Sequence, residues 1–276
     1  MEDAGMSQDS LQLEALLLSR TYLYTLFHKL FGGAPDAALI GVLCDGATAD
    51  VAEEFAGGDP TLLGLVAFLG VLRAQDAGGL LERARDEYAR VFIGPAALPA
   101  SPYESPYTGA HDMGLFQENT IAVRAWYRER GLEARRLMAV PDDHVSMMCA
   151  FMARQAGSAI AVFRAGGRLG LAAGLRDQAA FVGAHLANWV GVYAESVRNS
   201  KAGADAVLYP QMLEAFDAFV RADAAFLAEG AYWAENQDEA RPSRPASELA
   251  RAERALADLA GIRPFGIQDN ELVPVG

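Results

Sequence analysis

Cysteine is nearly missing from this chain: Cys44 and Cys149 are the two in 276 residues, and each falls inside an apolar helical pattern. Two isolated thiols supply neither a disulfide framework nor a paired metal-binding spacing, and a reducing compartment fits them. Long apolar runs are scarce too. The longest, Thr61 to Leu72, is 12 residues, short of the roughly 20 that a membrane-spanning helix needs. Alternating Val, Ile and Thr of the kind that builds strands is nearly absent while alanine is abundant, which predicts an all-helical protein. Positive charge is in deficit: 23 Lys and Arg stand against 36 Asp and Glu, a formal net charge of −13. That argues against the basic face of a nucleic-acid binder and against adhesion to an anionic membrane. It suits a basic partner such as an arginine-bearing peptide, and it also serves solubility. The first ten residues, MEDAGMSQDS, are acidic and polar and do not read as a secretory signal, so the expected location is the cytoplasm.

Catalytic signatures are missing as well. No GxxxxGK[ST] phosphate loop occurs, and Gly166, Gly167, Gly170 and Gly174 follow a helical pattern with the wrong spacing for a dinucleotide fingerprint. GxSxG, HExxH and CxxC are all absent. The four histidines, His28, His111, His144 and His185, are scattered without paired ligand spacing. No cofactor, no metal and no catalysis are expected.

What is present is a series of about ten helices. The first starts among Ser7 to Ser10 and runs to Phe31, ended by Gly32 and Gly33. Pro35 suits the first turn of a second helix reaching Cys44, and further helices are expected over 48–55, 59–74 and 80–93, with Gly57–Gly58 and Gly78–Gly79 as breaks. Downstream, helices are expected over 111–130, 141–163, 175–200, 205–228 and 247–260, with a connector at 132–140 and a polar, proline-bearing linker at 229–246. The expected organisation is one helical domain, residues 1–228, followed by a linker, a charged helix and a tail over 229–276. The glycines from Gly166 to Gly174 read as a flexible interruption that can serve as a hinge for helix swapping, so a monomer or a swapped dimer is expected.

Two stretches stand out. The first, from Glu87 to Gly109, reads EYARVFIGPAALPASPYESPYTG. Pro95, Pro99, Pro102 and Pro106 exclude a helix and hold the preceding residues extended, making a stiff aromatic ribbon with one exposed-looking carboxylate, Glu104. Such a ribbon can wall a binding groove or merely seal a core edge. The second is Pro141-Asp142-Asp143-His144, read as a helix start with Pro141 in the first turn and both aspartates facing the positive end of the helix dipole. Those residues admit an acid–base pair, a metal fragment, a hook for a cationic ligand, or a plain cap. Met147, Met148 and Met152 behind them suit either a core or an adaptable apolar groove. On residues alone, Asp143 and His144 leave open a helical metal-dependent or nucleotide hydrolase.

Together these stretches resemble a known family. Tyr88, Phe92, Gly94, Pro95, Pro99, Pro102, Tyr103, Ser105 and Tyr107 are similar to the Y-x-x-x-F-x-G-P … P-x-x-P-[WY]-x-S-x-Y loop of the TorD/DmsD/NarJ redox-enzyme maturation chaperones. Pro141, Asp143 and His144 resemble that family's P-x-D-H segment, and Phe181, His185, Leu186 and Trp189 its F-x-x-x-H-L-x-x-W helix. The order and spacing agree over roughly residues 10–228. The resemblance implies an all-helical cytoplasmic chaperone that binds a twin-arginine signal peptide and the apo form of a molybdopterin oxidoreductase until its cofactor is inserted. It implies a peptide groove lined by Tyr88, Phe92, Pro95, Tyr103, Ser105 and Tyr107, with Asp142, Asp143 and His144 at the polar end. Glu104 joins that groove on its charge alone. The chain departs from the family at Ala96 and Ala97, where glycine often follows the proline, and at Pro106, where an aliphatic residue is common.

Overall fold

The computed structural model describes residues 8–94, 98, 100–108, 116–136, 139–236 and 249–276. Pro95, Pro99 and the expected helix start at His111 lie outside the described residues.

Helix α1 (Gln8–Gly32) is the axis of the molecule. Leu17, Leu18, Tyr22, Tyr24, Leu26, Phe27, Leu30 and Phe31 are all buried, so the helix is apolar on nearly every side, as a helix enclosed by others must be. Four short helices follow: α2 (Ala37–Leu43), α3 (Gly46–Ala56), α4 (Pro60–Arg73) and α5 (Ala77–Tyr88). Each is opened by an aspartate, Asp36, Asp45, Asp59 and Asp76, whose carboxylate accepts a free N–H of the first turn. Because Asp76 caps α5, Gly78 and Gly79 lie within its first turn rather than before it. Pro35 correspondingly precedes the Asp36 cap. The chain leaves α5 through a π-helical turn (Ala89–Ile93) and stops at Gly94, whose φ of 62° and ψ of 154° favour a residue without a Cβ.

A short helix α6 (Ser105–Thr108) and α7 (Phe116–Glu129) lead to β1 (Leu132–Ala134); the proline stretch expected to exclude a helix thus holds one turn of it, with Pro106 in the first turn, where its missing N–H costs nothing. Helix α8 (Val145–Arg164) packs along α1, and α9 (Arg168–His185) packs on α8. Gly166, with φ 74°, makes the turn between them, and Gly170 and Gly174 belong to α9, so the expected flexible interruption is a tight reverse turn followed by helix. The expected helix over 175–200 is instead broken at residues 186–189, where α9 gives way to α10 (Val190–Arg198). Trp189 causes this in part. Its indole Nε1–H donates to the His185 carbonyl at 2.7 Å, while its main-chain N–H turns to Leu186, so side chain and main chain exchange partners.

After α11 (Lys201–Ala204), α12 (Tyr209–Asn236) continues eight residues past the expected end at 228. Ala231 and Ala234 are buried in that extension, and this buried face keeps the chain helical where its polar composition reads as linker. The remainder, α13 (Leu249–Gly261), a 3-10 turn (Ile267–Asn270) and β2 (Leu272–Pro274), folds back on the body. Strand β2 pairs antiparallel with β1, Leu132 opposite Pro274 and Ala134 opposite Leu272, so the expected connector at 132–140 begins as a strand. Asn270 donates to the Gly32 carbonyl at 2.7 Å, and a Cβ on Gly33 would stand 2.4 Å from the Phe265 oxygen. The protein is all-α, with this two-stranded ribbon as its sheet among the described residues.

Two buried polar contacts tie distant elements together. Arg20 of α1 forms an ion pair with Asp223 of α12 and donates to Gln178 of α9 at 2.9 Å, while Tyr24 donates to the same aspartate at 2.7 Å. Glu87 of α5 accepts the main-chain N–H groups of Val207, Leu208 and Tyr209 and caps α12 from outside its own segment.

Candidate functional site

The proline loop and the start of α8 meet. Tyr103 and His144 form an antiparallel bridge, flanked by the Val145 N–H donating to Pro102 O at 2.9 Å and the Glu104 N–H donating to Asp143 O at 3.1 Å. A loop rich in proline has few N–H groups, and Glu104 and Ser105 both spend theirs on Asp143.

Asp143 is the junction. Its side chain is fully buried, accepting from the Ser105 N–H and hydroxyl on one oxygen and from the Thr120 hydroxyl at 3.0 Å on the other. One carboxylate therefore joins α6, α7 and the segment before α8. Asp142 is held by Arg124 through contacts of 2.8 and 2.7 Å, and the Tyr127 hydroxyl donates to its carbonyl at 2.9 Å. Burial pushes the Asp142 carboxyl up, against the opposing pull of Arg124. Neither aspartate lies in the first turn of α8, which starts at Val145. His144 is the cap instead: its Nδ1 accepts the Ser146 N–H at 3.1 Å. An accepting imidazole must be neutral, and burial drives its pKa down to about 3. The reading of Pro141 as the first turn and of the aspartates as dipole partners is corrected accordingly.

Glu104 is not the exposed carboxylate the loop suggested. It is 2% exposed and faces inward to His185 Nδ1 at 3.0 Å. Burial raises its pKa, and the His185 hydrogen bond opposes that. Glu104 stands immediately before the one-turn helix α6, within which Pro106 is exposed.

The tyrosines divide. Tyr107 stacks on Trp189 at 5.3 Å and donates its hydroxyl to Ser101 O at 2.8 Å, while Tyr103 meets the His144 ring edge-on at 5.0 Å. Both remain half-buried. Tyr88 and Phe92 are buried, stacked on each other at 5.0 Å and packed against Tyr209. They form the floor under the loop rather than its outer wall. Burial raises the Tyr107 pKa to about 12 and pushes Tyr88 higher still. Pro95 lies outside the described residues.

Thus Tyr103, Glu104, Ser105, Tyr107, Asp142, Asp143 and His144 come together, and Tyr88 and Phe92 lie in the core. Thr120, Arg124 and Tyr127 complete the network without having drawn attention in the sequence. Their signal was the spacing of three to four along α7, which sets them on one helix face. Among the described residues no group of three or more His, Cys, Asp or Glu side chains is arranged to hold a metal ion. Asp143 and His144 are both buried, so they do not form an open acid–base pair.

An all-helical body with a proline loop pinned across a buried His-Asp helix start defines a particular class of helical protein. The family described as nitrate reductase delta subunit matches residues 53–195, and the chain belongs to it, in agreement with the TorD/DmsD/NarJ resemblance. The chain is also similar to the Tat proofreading chaperone DmsD of Salmonella paratyphi A, Salmonella typhi and Salmonella typhimurium. Each is 39% identical over 57 residues, or 21% of this chain and 28% of the relative. The chain therefore matches little more than a quarter of the length of these curated relatives.

Proposed function

We propose that this protein is a cytoplasmic maturation chaperone, without catalysis of its own. It binds the twin-arginine signal peptide and the apo form of a molybdopterin oxidoreductase and holds them until the cofactor is inserted before export. The observation that carries this reading is the pair of half-buried rings, Tyr103 and Tyr107, on a loop pinned to Asp143 in a member of this chaperone family. A rigid aromatic edge binds an apolar peptide at low entropic cost, and the acidic surface speeds the approach of a dibasic one. In this reading the buried carboxylates act by positioning: Asp143 orders the loop, and the tyrosines contact the peptide.

Isothermal calorimetry with a twin-arginine signal peptide from an oxidoreductase encoded beside this chain is the test. Tyr103→Ala is expected to weaken binding about tenfold, the usual effect of truncating an aromatic anchor. Asp143→Ala should weaken it through loss of loop order, seen as faster amide exchange over residues 100–108. Affinity unchanged in the double variant would remove the site.

A further inference from the structure

A cavity of about 420 Å³ opens where α13 packs beside α1, α2 and the start of α3, a volume in the range of small-molecule sites. None of its lining belongs to the loop site, and all of it lies outside the family-matched residues 53–195. Part of the lining is small and apolar, with Ala38, Gly41 and Val42 from α2 and Ala47 from α3. A glycine inside a helix lowers its stability. A Cβ on Gly41 would meet nothing within 4 Å, so close packing does not require this one, and it widens the cavity.

The polar part of the lining is unbalanced. The buried Tyr22 hydroxyl meets Thr48 Oγ1 at 2.5 Å, and Thr48 itself donates to the Val42 carbonyl at 2.6 Å. The single threonine hydrogen is thus spent, so Tyr22 is the donor and its oxygen keeps a lone pair. Burial raises the Tyr22 pKa to about 12 against the Thr48 hydrogen bond, and Asp45 and Asp258 add to the rise, so both carboxylates lie near that oxygen. Asp45 uses one oxygen on the Ala47 N–H at 2.7 Å. On α13, Arg251 is engaged in an ion pair with Asp50. Arg254 and Asp258 stand one turn apart and could pair with each other. Neither has an ion-pair or hydrogen-bond partner among the described residues.

We propose that this cavity binds a free apolar α-amino acid, with its carboxylate on Arg254, its ammonium among Asp45, Asp258 and the Tyr22 oxygen, and its side chain against Ala38 and Val42. An ammonium brings three donors and no acceptor, which suits three converging acceptors, and a guanidinium takes a carboxylate as a fork. A plain anion would meet two carboxylates and a plain cation would meet Arg254. The lining therefore selects both charges on one small molecule. An occupant would also join α13 to α2 and α3 and stabilise the fold by mass action.

The experiment uses the full chain, with calorimetry and thermal melts in L-leucine and L-phenylalanine. Saturable binding and a raised melting temperature are expected. Isoamylamine, which is leucine without its carboxylate, and isocaproate, which is leucine without its ammonium, should each bind about tenfold more weakly or worse. Arg254→Gln and Asp258→Asn should weaken leucine binding by about tenfold or more. Both side chains are exposed, so the melts of these variants without ligand should match the wild type. Gly41→Leu, whose side chain enters the cavity, should abolish binding while the melt without ligand stays or rises. Tyr103→Ala should leave leucine binding unchanged. No saturable binding of either amino acid by the wild type overturns the proposal. So does isoamylamine or isocaproate binding as tightly as leucine, or full affinity in Gly41→Leu.

Discussion

A single side chain can decide whether helices distant in sequence stay together, and Arg20 is such a case. Its guanidinium is fully buried among Asp223, Gln178 and the ring of Phe226, 5.3 Å away. Removing one partner of a buried pair strands the other charge. Asp223→Ala should therefore destabilise the protein by about 3–5 kcal/mol. Arg20→Met combined with Asp223→Leu should recover most of that loss, and urea unfolding of the two variants beside the wild type checks both expectations. Neither residue was recognisable as a pair, since an arginine and an aspartate some two hundred positions apart share no local pattern. The same blindness applied to Glu104 and Asp143. Their charge was legible, but the direction each faces depends on His185, Ser105 and Thr120, supplied by other elements.

At the scale of elements, the helices and many of their ends were legible, because apolar spacing of three to four residues broken by glycine or proline is a local signal. The errors fell where a distant residue overrides local preference. Helix α12 is the clearest example. Its first free N–H groups are taken by Glu87 of α5 rather than by a residue of its own segment, so its start lies four residues later than composition suggests. Glu87→Ala leaves three buried or half-buried N–H groups without an acceptor and should cost about 2–3 kcal/mol. Glu87→Gln, which keeps one acceptor oxygen, should cost less. Denaturant melts of the two variants would show the difference, and equal stabilities would mean the cap contributes little. The break before α10 follows the same logic, since the Trp189 indole competes with its own main chain for one carbonyl. Periodicity shows where a tryptophan falls, not which carbonyl its indole will reach.

For the molecule as a whole, acid is the relevant stress. Burial drives both His28 and His144 from 6.5 down to about 3, with Lys29 adding to the shift at His28. Both stay neutral in the fold while the unfolded chain protonates them below about 6.5. The unfolded state then binds more protons, so this stability is fully present above pH 6.5 and is lost as pH falls toward 3. Each pH unit within that window costs on the order of 1.4 kcal/mol per imidazole. Glu104 and Asp142, raised by burial, act in the opposite sense at lower pH, so the imidazoles should dominate between pH 6.5 and 5. Urea midpoints should fall across that range in the wild type and fall less steeply in His28→Gln and His144→Gln variants. A flat wild-type profile would contradict this account.

The helical class, the two stretches that meet at the site and the family were all readable from residue order. Each depends on patterns a few residues long, where propensity, capping and spacing act within one turn or one loop. The inward turn of Glu104, the role of His144 as cap, the hold of Asp143 on Ser105 and Thr120, and the return of the C-terminal strand to β1 depend on contacts across tens to hundreds of residues. Such contacts exist only once burial has made an unpaired polar group costly, and burial is a property of the assembled core.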